Sequence, residues 1–341
     1  MKKILFILLI SGQLLSGQAL DDLHFGSDTT FDVISWNIEW FPKNNNTASK
    51  VQEILTSLEA DVYALQEIED TTLLKQVVSN IPGYECYFKS SYYGGLAYVF
   101  NTNTVQINSK YEIFTSQSYW NAFPRSPQIL DFTFMGNNYI LINNHFKCCG
   151  DGILNINNSA DEENRRLQAV TFLKQFIDNT FSSKRVILLG DLNDNLIDNT
   201  INNVFQAFII DNANYLFADI QIAQGNSIDW SYPTWPSHLD HILITNEIFS
   251  DFQNSNSLVS VIRIDDYMSS WSNYENNVSD HRPIGLKLDC NAINSIAEVI
   301  NLEKKVLKVK DILGRDILKK TKGLIFKLYD NGTVEKELIL E

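Results

Sequence analysis

Three features of the chain predict an α/β fold. Between residues 31 and 288, short apolar runs of strand length alternate with longer stretches of helical period. No internal repeat or low-complexity segment interrupts that rhythm. The chain of 341 residues is 44% hydrophobic and 20% charged, enough to bury a large core. Strands are expected at 31–36, 62–65, 96–100, 129–134, 139–143, 186–189, 241–244 and 284–288, and helices at 48–58 and 164–178. The second helix puts Leu167, Val170, Leu173 and Ile177 on one face, with Lys174 its polar member and Arg165 and Arg166 near its start. That face should pack on a sheet.

Two flanking segments differ from this domain. Lys2 and Lys3 precede an apolar run at 4–15, and Ser16, Gly17 and Ala19 are small, which is the pattern of a signal peptide over residues 1–19. A run of that length is short of the ~20 residues that span a bilayer. Export without stable membrane insertion is therefore expected, with residues 20–290 as the main domain. Residues 291–341 hold nine Lys and one Arg against eight acids, with β-like pieces at 306–309, 324–329 and 337–340 and Asn331-Gly332 as a turn. A small separate β-unit is expected there.

The whole chain has 27 Lys and Arg against 41 Asp and Glu, a net charge of −14. The tail is net +2 and Lys2 and Lys3 add +2, so residues 4–290 carry −18. Charge alone thus argues against affinity for nucleic acid, and an anionic substrate would need local help such as a metal ion. Export would also place Cys86, Cys148, Cys149 and Cys290 in an oxidising compartment. A bridge between the adjacent Cys148 and Cys149 would strain the peptide, so a link from one of them to Cys86 or Cys290 is expected, with free buried thiols as the alternative.

The chemistry lies where apolar strands end in polar residues: Trp36-Asn37, Gln66-Glu67, Asn144-His145, Gly190-Asp191-Leu192-Asn193-Asp194 and Ser279-Asp280-His281-Arg282-Pro283. Singly, each has a plainer explanation, since Gly, Asp and Asn form turns and a lone Glu is usually a solvated acid. Five such ends suggest metal-assisted attack on a phosphate. A hard cation takes oxygen ligands, which Glu67 and Asp280 supply with Asn37 near. Asp191 beside Asn193 would orient and deprotonate a water. His145 and His281 would donate to phosphate oxygens or the leaving oxygen, with Asp240 orienting one ring. Candidate cations for gripping phosphate are Lys147, Arg165, Arg166, Arg125, Lys89 and Arg282, with His238 a further phosphate contact. Tyr92, Tyr93, Trp120 and Trp235 would either stack on bases or pack in loops.

The runs Trp36-Asn37-Ile38-Glu39-Trp40, Leu65-Gln66-Glu67, Asn144-His145-Phe146-Lys147, Gly190-Asp191-Leu192-Asn193-Asp194, Leu239-Asp240-His241-Ile242-Leu243 and Ser279-Asp280-His281-Arg282-Pro283 resemble the endonuclease/exonuclease/phosphatase superfamily, of deoxyribonuclease I-like fold. The resemblance covers about residues 31–288. It implies a four-layered αββα sandwich of two packed mixed sheets, and phosphoester hydrolysis dependent on Mg²⁺ or Mn²⁺ with Ca²⁺ in support. By motif it implies Glu67, Asn37 and Asp280 at the metal, Asn37, Asn193 and His145 at the phosphate, and His145, Asp191, Asn193, Asp240 and His281 in catalysis. Histidine at 145 is similar to secreted bacterial nucleases rather than repair endonucleases, although Cys148-Cys149 departs from their usual small polar residue. The implied enzyme is a secreted, monomeric endonuclease for DNA and also RNA. A sphingomyelinase-like phosphodiesterase or a phosphomonoesterase is the alternative; the first would need an exposed apolar hairpin, and Ile209 and Ile210 read as internal. Residues 307–315 and 323–341 resemble the sorting domain of type IX secretion, which implies export machinery as a partner and the cell surface or medium as destination.

Overall fold

Strands that are apolar on both faces need a covering layer on each side. The computed structural model describes residues 19–89, 95–290, 306–311, 315–317, 323–329 and 334–339. Its first strands are β1 (Phe31–Phe41), β2 (Val62–Ile68), β3 (Tyr84–Phe88), β4 (Gly95–Asn101), β5 (Val105–Glu112) and β6 (Gln128–Phe134). They are followed by β7 (Asn137–His145), β8 (Arg185–Asp191), β9 (Tyr215–Phe217), β10 (Asp240–Thr245), β11 (Leu258–Val261) and β12 (Ile284–Leu288). One sheet has the order β11-β12-β1-β2-β4-β3 and the other β5-β6-β7-β8-β10-β9. Both are mixed: β1 runs parallel to β2 but antiparallel to β12, and β8 parallel to β7 but antiparallel to β10. The helices are α1 (Thr47–Leu58), α2 (Thr71–Ser79), α3 (Glu162–Thr180), the short α4 (Gln206–Ile209), α5 (Ile220–Ala223) and α6 (Phe249–Phe252), and α7 (Trp271–Asn277).

The two-residue period of each strand sorts its side chains between layers. Phe31 and Val33 of β1, Tyr139 and Leu141 of β7, and Ile187 and Leu189 of β8 meet in the core between the sheets. Their neighbours turn outward. Ile34 and Trp36 pack with Val51, Ile54 and Leu55 of α1, while Ile140, Ile142, Val186 and Leu188 pack with Val170, Leu173 and Ile177 of α3. This is the expected αββα sandwich. Each expected strand and both expected helices are present, but β1, β7 and β8 run on past the expected ends, to Phe41, His145 and Asp191. The polar residues that seemed to end these strands are part of them.

The chain divides into two compact units, residues 1–290 and 291–341. The second contains an antiparallel sheet of β13 (Val306–Asp311), β14 (Gly323–Tyr329) and β15 (Val334–Ile339). The turn expected at Asn331-Gly332, Tyr92 and Tyr93, and all of the expected leader except Ala19 lie outside the described residues. No helix among the described residues is long and apolar enough to cross a membrane.

The expected long-range disulfide is corrected: all four cysteines are free. The Cys290 thiol is buried against the Tyr139 hydroxyl, 3.1 Å away, near the start of β7. Cys148 and Cys149 follow the far end of that strand. At about 3.3 Å per residue, the strand separates Tyr139 from His145 by roughly 20 Å, too far for a bridge. Cys86, paired with Val99 of β4, sits in β3 of the other sheet.

Candidate active site

The inward faces of the central strands change from apolar to polar toward one end. On β1 the series Phe31, Val33 continues with Ser35 and Asn37; on β7 Tyr139, Leu141 continues with Asn143 and His145; on β8 Ile187, Leu189 leads to Asp191. A buried amide layer forms first. Gln66 Nε2 donates to Asn143 Oδ1 at 2.8 Å and to Ser35 Oγ at 3.3 Å, and Asn143 Nδ2 donates to the carbonyls of Leu65 and Ala97. The next layer is the candidate site.

Asp191 is its centre. Asn37 Nδ2 donates to Asp191 Oδ2 at 2.9 Å and to Glu67 Oε1 at 3.1 Å. His145 Nε2 lies 3.5 Å from Asp191 Oδ2 and 3.8 Å from Glu67 Oε1. His281 Nε2 lies 3.7 Å from the same Asp191 oxygen, and its Nδ1 is 2.7 Å from Asp240 Oδ2. Asn193 joins through its backbone N–H, 3.2 Å from Asp191 Oδ1, with its side-chain nitrogen 3.4 Å from the Phe146 carbonyl. Asp280 approaches along the chain from His281, its N–H donating to Glu39 Oε2 at 2.8 Å.

Local backbone irregularity aims these groups. The register between β1 and β2 shifts after Asn37, and that between β2 and β4 shifts after Leu65. Bulges of this kind re-aim side chains at the rims of sheets. Glu39, Trp40, Glu67 and Asn193 all take positive φ, at 35°, 51°, 62° and 54°. Such conformations cost of order 1–3 kcal/mol each and gather at functional sites. The turned Glu67 carboxylate accepts the Trp40 N–H at 3.1 Å. Gly190, at φ 141°, is required where β8 pairs with Asn144 of β7: a Cβ there would lie 1.9 Å from the Asn144 carbonyl oxygen.

The charges are unevenly distributed. Burial pushes the Asp191 carboxyl up to about 7; the nearby His281 and the Asn37 hydrogen bond resist this, while Asp240 and Glu67 add to it. Burial alone would depress His281, but Asp240 and Asp191 overcome it and push the imidazole up to about 10. His145 goes the other way: burial, then Arg125 and His281, hold it well below the usual histidine range. The site therefore pairs a charged His281 with a neutral His145.

Several expected residues lie elsewhere. His238 is buried with Nε2 3.0 Å from Asp219 Oδ2, which also meets His241 Nδ1 at 2.6 Å. Arg165 donates from Nε to the Asn121 carbonyl at 2.6 Å. Arg166 and Arg282 are not rim cations but buried partners, Arg166 of Asp194 and Glu163, and Arg282 of Asp265. Asn37 enters as a donor: its nitrogen faces both carboxylates while its oxygen accepts the Glu39 N–H at 3.0 Å. In this orientation the amide bridges the Glu67 and Asp191 carboxylates. Trp120 and Trp235 are 58% and 78% exposed, and Ile210, expected inside, is 74% exposed.

Supporting residues emerge that the sequence reading did not single out. Glu39 ties Asp280 to Lys43, which also reaches the Glu275 carbonyl. Ser279 Oγ donates to the Asn37 carbonyl at 2.6 Å and accepts the His281 N–H at 2.9 Å. Tyr274 on α7 donates to the His281 carbonyl and accepts from Trp36 Nε1 at 3.0 Å, and the Tyr232 ring lies 4.8 Å from that of His281. Glu39, Trp36 and Ser279 stand within the motifs already noted. Tyr232 and Tyr274 carry no local signal.

Comparison with known proteins agrees with this fold. Solved structures similar to the chain include zebrafish (D. rerio) TDP2 complexed with single strand DNA product (16% identity, 76% of this chain and 99% of that one, TM-score 0.57). The human Nocturnin catalytic domain with bound sulfate is similar at 16% identity (76% and 93%, TM-score 0.56). An endonuclease/exonuclease/phosphatase from Bacteroides vulgatus is similar at 12% identity (76% and 98%, TM-score 0.53). No curated protein matches the chain significantly. The model of the Endonuclease/Exonuclease/phosphatase family matches residues 34–281, a span that runs from β1 to His281. The chain belongs to that family.

Proposed function

We propose that this protein is a divalent-metal-dependent phosphodiesterase that cleaves DNA, and RNA as a further substrate, by attack of an activated water. One observation carries the reading: the buried Asp191 carboxylate stands among Asn37, His145 and His281, with Glu67 on one side and the Asp240–His281 pair on the other. The residues suit a hard cation. Glu67 and Asp191 lie on the same Asn37 amide, and their mutual repulsion is part of what lifts Asp191. A cation held by Glu67, with Asp280 from the last motif, would relieve that repulsion. Mg²⁺ or Mn²⁺, with Ca²⁺ in support, would supply Lewis-acid stabilisation of a phosphate oxygen.

The chain's own groups account for the proton movements. Asp191, beside Asn193, accepts a proton from the attacking water. His281, held charged by Asp240, donates from Nε2 to the leaving oxygen. The 3.7 Å between Asp191 and His281 Nε2 then lets the proton return and reset both groups. His145, held neutral, donates a hydrogen bond to a phosphate oxygen without adding charge. His238 and Arg165 remain, in this reading, outside the reacting centre.

The exposed Trp120 and Trp235 support a nucleic-acid substrate, since bases stack on such rings. The exposed Ile153, Ile156 and Ile201 favour a second reading, a lipid phosphodiester at a membrane surface. Export is the proposed setting: residues 1–19 supply the leader and 291–341 the segment read by export machinery. Incubating the protein with plasmid, RNA and sphingomyelin vesicles, with Mg²⁺ or with chelator, separates the readings. Plasmid nicking that chelator abolishes is expected. Phosphocholine release with intact plasmid would move the enzyme to lipid, and no metal-dependent cleavage of any of the three would defeat the proposal.

A further inference from the structure

We propose that Cys148 and Cys149 are a reversible dithiol–disulfide site, closing on each other beside the active site. Their sulfurs lie 3.0 Å apart, the Cys149 thiol donating to the Cys148 sulfur. Closure asks for an approach of about 1 Å to reach the ~2.05 Å of a bond. Neither other cysteine competes, since Cys290 is buried against Tyr139 and Cys86 lies in the other sheet. Cys149 is exposed and Cys148 half-buried, so a reagent in solution can reach them.

Their surroundings give the two sulfurs different roles. Lys147 Nζ is 3.7 Å from Cys148 Sγ and 3.0 Å from its carbonyl. Cys148, whose sulfur faces the Lys147 ammonium and accepts from the Cys149 thiol, is the attacking sulfur in this proposal. The hydrogen bond to Cys148, followed by burial, pushes the Cys149 thiol up, keeping it protonated until the second step. Cys148 attacks a small-molecule or protein disulfide, breaks its S–S bond and expels one thiolate. Cys149 then loses its proton as its sulfur attacks the Cys148 sulfur of the mixed disulfide and expels the second. Two thiols are oxidised, and the incoming disulfide gains two electrons and two protons to leave as two thiols.

The backbone is already fixed around the pair. The buried Arg166 guanidinium donates from one nitrogen to the Lys147 carbonyl at 2.8 Å and the Cys149 carbonyl at 2.7 Å. Cys149 and Gly150 take φ of 72° and 109°, turning the chain directly after the dithiol. Adjacent Cα atoms are about 3.8 Å apart, below the roughly 4.4–6.8 Å that an unstrained bridge prefers. Strained, exposed disulfides are the labile ones. The bridge is therefore a switchable modification, not a staple, and it stands whatever the substrate.

The test oxidises the reduced full chain with glutathione disulfide, alkylates under denaturing conditions and weighs the peptides. The peptide with Cys148 and Cys149 should lose the mass of two hydrogens and resist alkylation, while Cys86 and Cys290 are alkylated. Dithiothreitol should restore both thiols. Cys149→Ser should instead trap glutathione on Cys148. A bridge from either residue to Cys86, Cys290 or a second chain would overturn the proposal. So would full alkylation of both cysteines under conditions that oxidise a simple dithiol peptide.

Discussion

In the proposed mechanism Asp191 is a residue placed for chemistry against its own stability. Its carboxyl is buried among like charges and pushed up to about 7, so removing the charge removes a burden. Asp191→Asn should therefore abolish measurable turnover while the melting temperature stays level or rises. A large drop in melting temperature would assign the residue to the fold instead. His281→Ala should lower kcat by about 10²–10⁴-fold, the usual contribution of a positioned acid or base. Asp61, far from the motifs, makes a pH prediction. Burial pushes its carboxyl from 3.8 up to about 7, against hydrogen bonds from Thr104 and the Asp32 backbone. The folded state thus holds a proton that the unfolded chain releases, and stability should fall as pH rises from about 4 to about 7. Thermal melts across that window should show a shallower fall for Asp61→Asn; an identical slope would remove Asp61 as the cause.

At the scale of elements, α3 connects the two loops that follow β7 and β8. Arg166 on its first turns meets Asp194, which follows Asp191 and Asn193, and also holds the carbonyls of Lys147 and Cys149, which follow His145. Arg166→Ala leaves buried Asp194 and Glu163 without their partner and should cost about 3–5 kcal/mol, read as a lowered denaturant midpoint. A shift within error would show that the loops stand without it. The same scale explains what the sequence reveals. Alternation identifies Phe31, Val33, Ile187 and Leu189 as core, and the polar residues beyond them continue the same faces. Asn37, His145 and Asp191 are thus legible as the polar ends of those faces. The edge strands β5 and β11 escape notice because solvent on one side weakens their pattern. The turned backbone of Glu39 and Glu67 is not legible either, since it comes from register shifts between strands. Neither is the burial of Arg282 and His238, whose partners Asp265 and Asp219 are set by tertiary contact.

At the scale of the molecule, an excess of acid over base coexists with a site read as phosphate-binding. Beside Asp191, His281 is held charged by buried carboxylates, and with the chain's excess of acid, binding of a polyanion should depend on added cation more than on surface charge. Among the described residues, the three hydrophobic cores of the first unit are built from residues 20–290. A chain ending there should keep its melting temperature and its activity, and loss of either would show that 291–341 supports the domain. In the proposed mechanism, phosphodiester hydrolysis runs through Asp191 under a divalent cation. The most direct test is supercoiled-plasmid nicking by wild type and Asp191→Asn side by side across a Mg²⁺ titration. Mg²⁺-dependent nicking by the wild type alone, from equally folded proteins, is the predicted result. Equal nicking by both, or nicking indifferent to Mg²⁺ and chelator, would contradict it.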